Sequence, residues 1–120
     1  MPPEHPTVLV TLESLAETCL DAERYTHALK YYRELFDRSQ NVEPLDCIKQ
    51  ALTLQTIAGI YGNLDDPKSQ KKKLEMALKF VRSANIDNPM ERRTLENRLL
   101  GGIEVAQGNL LAKGDRQTWV

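Results

Sequence analysis

Two histidines, two cysteines, a run of three lysines and a Gly-Gly pair are the residues of this 120-residue chain whose types could carry chemistry. Their spacing argues against most of it. His5 and His27 have no carboxylate or thiol at a metal-ligand spacing and no neighbour placed for acid–base work. His5 reads as a residue just ahead of a helix, and His27 as an exposed step on one. Cys19 and Cys47 form neither a CxxC pair nor a metal-type spacing, and in apolar helical surroundings a free thiol behaves as a small hydrophobe. Gly101-Gly102 stands inside a helical pattern, and no GxGxxG, Walker, HExxH or GxSxG motif occurs. Each mid-helix glycine costs up to about 1 kcal/mol, so close packing is the expected reason for that pair. The residues predict no enzyme, no metal and no cofactor.

Lys71, Lys72 and Lys73, with Lys68, Lys79, Arg82, Arg92 and Arg93 nearby, are the types that grip phosphate or an acidic peptide. Three consecutive residues on a helix span most of its circumference, so these lysines cannot all meet one ligand. No aromatic residue is interleaved for base stacking, and acids and bases nearly cancel at a formal net charge of -1. A solvated face is expected, and nucleic acid is not an expected partner. The charge is nonetheless segregated: residues 1–66 hold 11 acids and 5 bases (-6), residues 67–98 hold 9 bases and 4 acids (+5), and the rest is neutral. That asymmetry is expected to neutralise itself between adjacent parts of the fold. The alternative is self-association, the acidic end of one copy meeting the basic end of another.

The elements that must position these residues are all helical. Leu9, Leu12, Leu15, Ala16, Cys19 and Leu20 recur at steps of three and four, as do Tyr25, Ala28, Leu29, Tyr32, Leu35 and Phe36. A third set runs over residues 45–61, with Gly62-Asn63 as its stop signal. Asp66-Pro67 opens a fourth helix and Asn88-Pro89 a fifth, each with a capping side chain followed by a proline suited to the first turn. The fifth is expected to run over residues 89–107 and to break at Gly108-Asn109, leaving 108–120 as a short capping helix or a tail. Trp119 would then cap the last apolar face or lack its packing partner. The longest uncharged apolar run, residues 7–12, is far short of the roughly 20 residues a bilayer crossing needs, so a cytoplasmic location is expected.

At an offset of 42 residues Leu12 meets Leu54, Leu15 meets Ile57, Ala16 meets Ala58, Cys19 meets Tyr61, Tyr32 meets Leu74 and Leu35 meets Ala77. One helical hairpin cannot bury its apolar face alone, so stacked hairpins demand similar residue sizes at each interface. The pattern predicts one domain: a hairpin over 6–41, another over 44–85, then the fifth helix. Gly101, 43 residues after Ala58, is the expected third small contact, with a register one residue away fitting about as well.

Leu12-Glu13-Ser14-Leu15-Ala16, Cys19, Tyr25, Ala28 and Tyr32 resemble the tetratricopeptide pattern over one full repeat. His5-Pro6-Thr7-Val8 with Thr11-Leu12 is similar to the longer, 42-residue repeats of kinesin light chains and related scaffolds. The second repeat departs from the pattern, with Pro67 where an aromatic stands and Gln70 where a small residue stands. The resemblance implies antiparallel helical hairpins stacked as a short right-handed superhelix, whose first helices line a concave groove for a peptide or helix of a partner protein. Position by position it places Glu13, Glu17, Leu20 and Asp21 in that groove, then Gln55, Thr56, Gly59 and Asn63, then Arg98 and Gly102. Chaperone-binding members grip a C-terminal carboxylate there with Lys and Asn. Glu13 and Glu17 occupy the corresponding positions and would repel it, which implies a basic or neutral ligand.

Overall fold

A computed structural model of the chain describes the backbone of residues 6–84 and 86–118, with side chains as far as residue 112. The expectations for His5 and Trp119 lie outside the described residues. The described elements are α1 (Pro6–Asp21), α2 (Tyr25–Ser39), α3 (Cys47–Asn63), α4 (Pro67–Ser83) and α5 (Pro89–Thr118), with no strand among them. The all-α expectation holds. Each helix packs on its neighbours in the chain, in an elongated body of 55 × 35 × 21 Å.

The first two hairpins repeat in detail. Glu23 and Asp65, 42 residues apart, both take the left-handed backbone conformation, with φ of 58° and 59°. The Arg24 amide donates to the Cys19 carbonyl at 2.8 Å and that of Glu23 to Leu20 at 2.9 Å; Asp66 to Tyr61 (2.9 Å) and Asp65 to Gly62 (3.2 Å) are the same bonds one repeat on. These bonds occupy carbonyls that the end of a helix leaves without partners, and they turn the chain back on itself. The expected stop at Gly62-Asn63 is where α3 ends, at Asn63, but Asp65 and not a glycine takes the positive φ. The starts of the second helices differ. Asp66 accepts from the Ser69 amide (3.1 Å) and hydroxyl (2.8 Å), whereas Arg24 gives α2 no side-chain cap.

Helices that are not consecutive also approach one another. Phe36 of α2 meets Phe80 of α4 edge to face, centroids 5.9 Å apart at 84°. Leu9 of α1 and Gln50 of α3 line one recess; Leu52 and Gln55 of α3 share another with Leu95 and Leu99 of α5. The hairpins are also tied by a buried polar group: Gln50, 2% exposed, donates from its amide nitrogen to the Phe36 carbonyl at 3.3 Å near the end of α2.

The central helix α3 packs on both α2 and α4, whereas α1 packs on α2. In α3, Ala51, Leu54, Ile57, Ala58 and Ile60 are all buried. In α1 only Leu12 and Ala16 are buried, and Leu15, the counterpart of Ile57, is 43% exposed against 1%. No helix precedes α1 among the described residues, whereas α2 lies against α3.

The fifth helix departs from expectation in two ways. It crosses Gly108-Asn109 unbroken to Thr118. A glycine ends a helix when it takes a positive φ, which no glycine here does, and the strong helix formers Ala106, Gln107, Leu110 and Leu111 flank this one. The expected third contact also moves. A Cβ on Gly101 would meet nothing within 4 Å, whereas one on Gly102 would stand 3.0 Å from Leu74 Cδ1. Close packing therefore explains Gly102 and not Gly101, and the fully buried small residue of α5 is Ala106.

Candidate interaction face

Residues outside the core stripe of α1 form a stripe of their own. On α1, Val10, Glu13, Glu17 and Asp21 follow one another at steps of three, four and four, the spacing of a single helical stripe. Val10 is 61% exposed, Glu17 and Asp21 are exposed, and Glu13 is half-buried. None of the three carboxylates has an ion-pair partner among the described residues. They converge electrostatically on Tyr32 of α2, whose hydroxyl pKa is raised first by burial and then by the fields of Glu17, Glu13 and Asp21. The structure thus sets Glu13, Glu17 and Asp21 on one stripe of α1, and all three act in the same direction on one phenol. Leu20 differs from them: it is half-buried and packs on the core, so much of its surface serves α1 itself.

On α3 the counterparts at the same offset are Leu52, Gln55, Gly59 and Asn63. Leu52 is exposed, and Gln55 stands at the seam with α5. The polar groups of the other two candidates turn back onto their own helix: the Thr56 hydroxyl donates to the Leu52 carbonyl at 3.1 Å, and the Asn63 amide to Gly59 at 3.2 Å. Gly59 is exposed, and a Cβ there would meet nothing within 4 Å, so the surface beside it is open. On α5 Arg98 is exposed, while Gly102 is taken up by its contact with Leu74. Gly102 is therefore withdrawn from the candidate face.

Sequence reasoning missed Val10 and Leu52, two exposed apolar residues in matching positions. The 42-residue offset pairs them, but Val10 stands outside the apolar set of the first helix and Leu52 falls within the set over residues 45–61, so neither is marked as surface. Tyr32 was assigned to the interior alone, and its link to the acidic row appears only once α2 lies beside α1.

Elsewhere, His27 is exposed as expected, and Cys19 and Cys47 are half-buried free thiols. Among the described residues no group of three His, Cys, Asp or Glu side chains could hold a metal ion, and no helix is long and apolar enough to cross a membrane. On α4 the exposed residues Lys68, Lys72, Glu75, Lys79 and Arg82 form one stripe, while Lys71 and Lys73 are half-buried at its flanks. None of the four cations has an ion pair among the described residues. Comparison with family models, curated proteins and solved structures finds no match to this chain.

Proposed function

We propose that this chain is a protein–protein interaction module or scaffold segment of the tetratricopeptide type, working by binding and not by catalysis, in the cytoplasm. In this reading the hairpins form a short right-handed superhelix, and the face of α1, α3 and α5 receives a peptide or helix from a partner. The observation that carries it is the stripe Val10, Glu13, Glu17 and Asp21, an apolar and acidic surface outside the core stripe, whose carboxylates have no described ion pair. Gln55, Thr56, Gly59 and Asn63 extend it along α3, and Arg98 stands on α5. Three carboxylates on one stripe favour a ligand that brings cations, and exposed Val10 and Leu52 favour one that also brings apolar side chains.

The test is fluorescence anisotropy with a labelled Lys/Leu amphipathic peptide and its Glu/Leu counterpart. The lysine peptide is expected to bind, more weakly as salt rises, and to lose about tenfold in affinity to a Glu13→Lys/Glu17→Lys variant that retains its helical circular dichroism. Equal binding of both peptides, or no change in the variant, removes this reading.

A further inference from the structure

We infer that the occupant of the acidic face is a second copy of this chain, which docks its α4 there so that copies join head to tail. The inference rests on the reading of that face as an interaction surface and names its partner.

The argument starts from the opposite end of the charge distribution. Leu45 and Cys47, with Met76, Lys79, Phe80 and Ser83 of α4, line a mostly apolar cleft of about 480 Å³. Phe80 forms its inner wall and rests on Phe36 in the core, so the cleft is a depression in a packed surface. Lys79 stands on its rim and belongs to the exposed stripe Lys68, Lys72, Glu75, Lys79 and Arg82. A surface of this kind, apolar in the cleft and cationic along one side, fits an apolar side chain carried on an acidic helix.

The α1 stripe of a second copy has that chemistry. Val10, 61% exposed, supplies the apolar side chain, and Glu13, Glu17 and Asp21 follow it without described ion pairs. At about 1.5 Å per residue the three carboxylates span about 12 Å and the four cations about 21 Å, so the acidic row fits within the basic stripe. Both surfaces lie outside the core stripes of their helices, α1 packing on α2 and α4 on α3 and α5. One copy can therefore offer α1 while its α4 receives another. A contact between two different surfaces is heterologous, and it adds copies into a row or a ring where a two-fold contact would stop at a dimer.

The experiment is sedimentation velocity on the full chain across concentration and salt, with two charge-reversed variants checked for helical circular dichroism. The first is Glu13→Lys/Glu17→Lys/Asp21→Lys, the second Lys68→Glu/Lys72→Glu/Lys79→Glu. The wild type is expected to exceed its monomer mass of 13.7 kDa as concentration rises, and to return to it between about 0.05 and about 0.5 M NaCl as screening shortens. Each variant alone is expected to associate at least about tenfold more weakly, and an equimolar mixture to recover association, because each then presents the charge the other has lost. A wild type that is monomeric throughout, a variant that associates unchanged, or a mixture that recovers nothing overturns the second copy as occupant. If the wild type is monomeric but still binds the lysine peptide, the face stands without this partner; loss of peptide binding as well removes both readings.

Discussion

Residues 19–24 and 61–66 make the same turn with different side chains, whereas Leu15 and Ile57, apolar residues at that same offset, end at 43% and 1% exposure. The contrast separates two kinds of repetition. Turn geometry is local: it depends on which carbonyls the last residues of a helix leave open, and it survives the exchange of Glu23 for Asp65. Burial is not local, because it depends on which helix lies alongside, and α3 has neighbours that α1 lacks.

The sharpest way to break this comparison is truncation at the matched pair. Ile57→Ala removes a side chain from a site covered on both sides and is expected to cost about 2–5 kcal/mol. Leu15→Ala is expected to stay within about 0.5 kcal/mol, since solvent already reaches that position. Urea unfolding followed by circular dichroism measures both. Equal losses would show that α1 is covered in solution by something absent from this fold, and would point back to a second copy.

The five helices, the hairpin pairing and the caps at Asp66 and Asn88 were legible because periodicity and capping are properties of a few adjacent residues; both caps form, Asn88 accepting from the Met90 amide at 3.0 Å. The exposure of Leu15, Val10 and Leu52 was not legible, because an apolar residue reads as interior until its neighbours are placed. The end of α5 was misread for a related reason. Gly108 is a stop signal only if the backbone turns left-handed there, and the sequence does not encode that choice. The acidic row was read from the repeat offset, but its convergence on Tyr32 depends on how α2 lies against α1.

The starts of the second helices offer a smaller contrast. Asp66→Ala removes the side chain that accepts from Ser69 and should cost about 1 kcal/mol, while Arg24→Asp should add about 0.5–1 kcal/mol by supplying the acceptor that α2 lacks. Thermal unfolding should therefore move in opposite directions in the two variants. A shift of the same sign in both would show that the repeat does not extend to the helix starts.

Smaller again are changes that touch only the backbone. Glu23→Gly relieves a left-handed non-glycine residue, and Gly101→Ala removes a mid-helix glycine whose Cβ would meet nothing. Each is expected to stabilise by up to about 1 kcal/mol in chemical denaturation. Gly102→Ala should fall short of Gly101→Ala, because its Cβ would press on Leu74 at 3.0 Å. Equal gains at the two glycines would mean that α5 does not sit against α4 at that point.

The smallest effect is confined to alkaline solution and to the first hairpin, since the counterpart of Tyr32 in the second is Leu74, which does not titrate. The folded-state pKa of Tyr32 is raised above the ordinary tyrosine value of 10.0, chiefly by burial and then by Glu17, Glu13 and Asp21. A group raised in this way keeps its proton in the folded chain at a pH where the unfolded chain has lost it. Its contribution is therefore complete below 10.0 and is lost as pH rises from there through the folded-state value. Tyr32→Phe should flatten the loss of stability above that pH while leaving neutral stability nearly unchanged. Glu13→Lys/Glu17→Lys should bring phenolate absorbance in at lower pH without restoring the ordinary value, because burial, the larger cause, remains. An unchanged phenolate titration in that variant would mean that the acidic row of α1 does not act on Tyr32 and that burial alone raises its pKa.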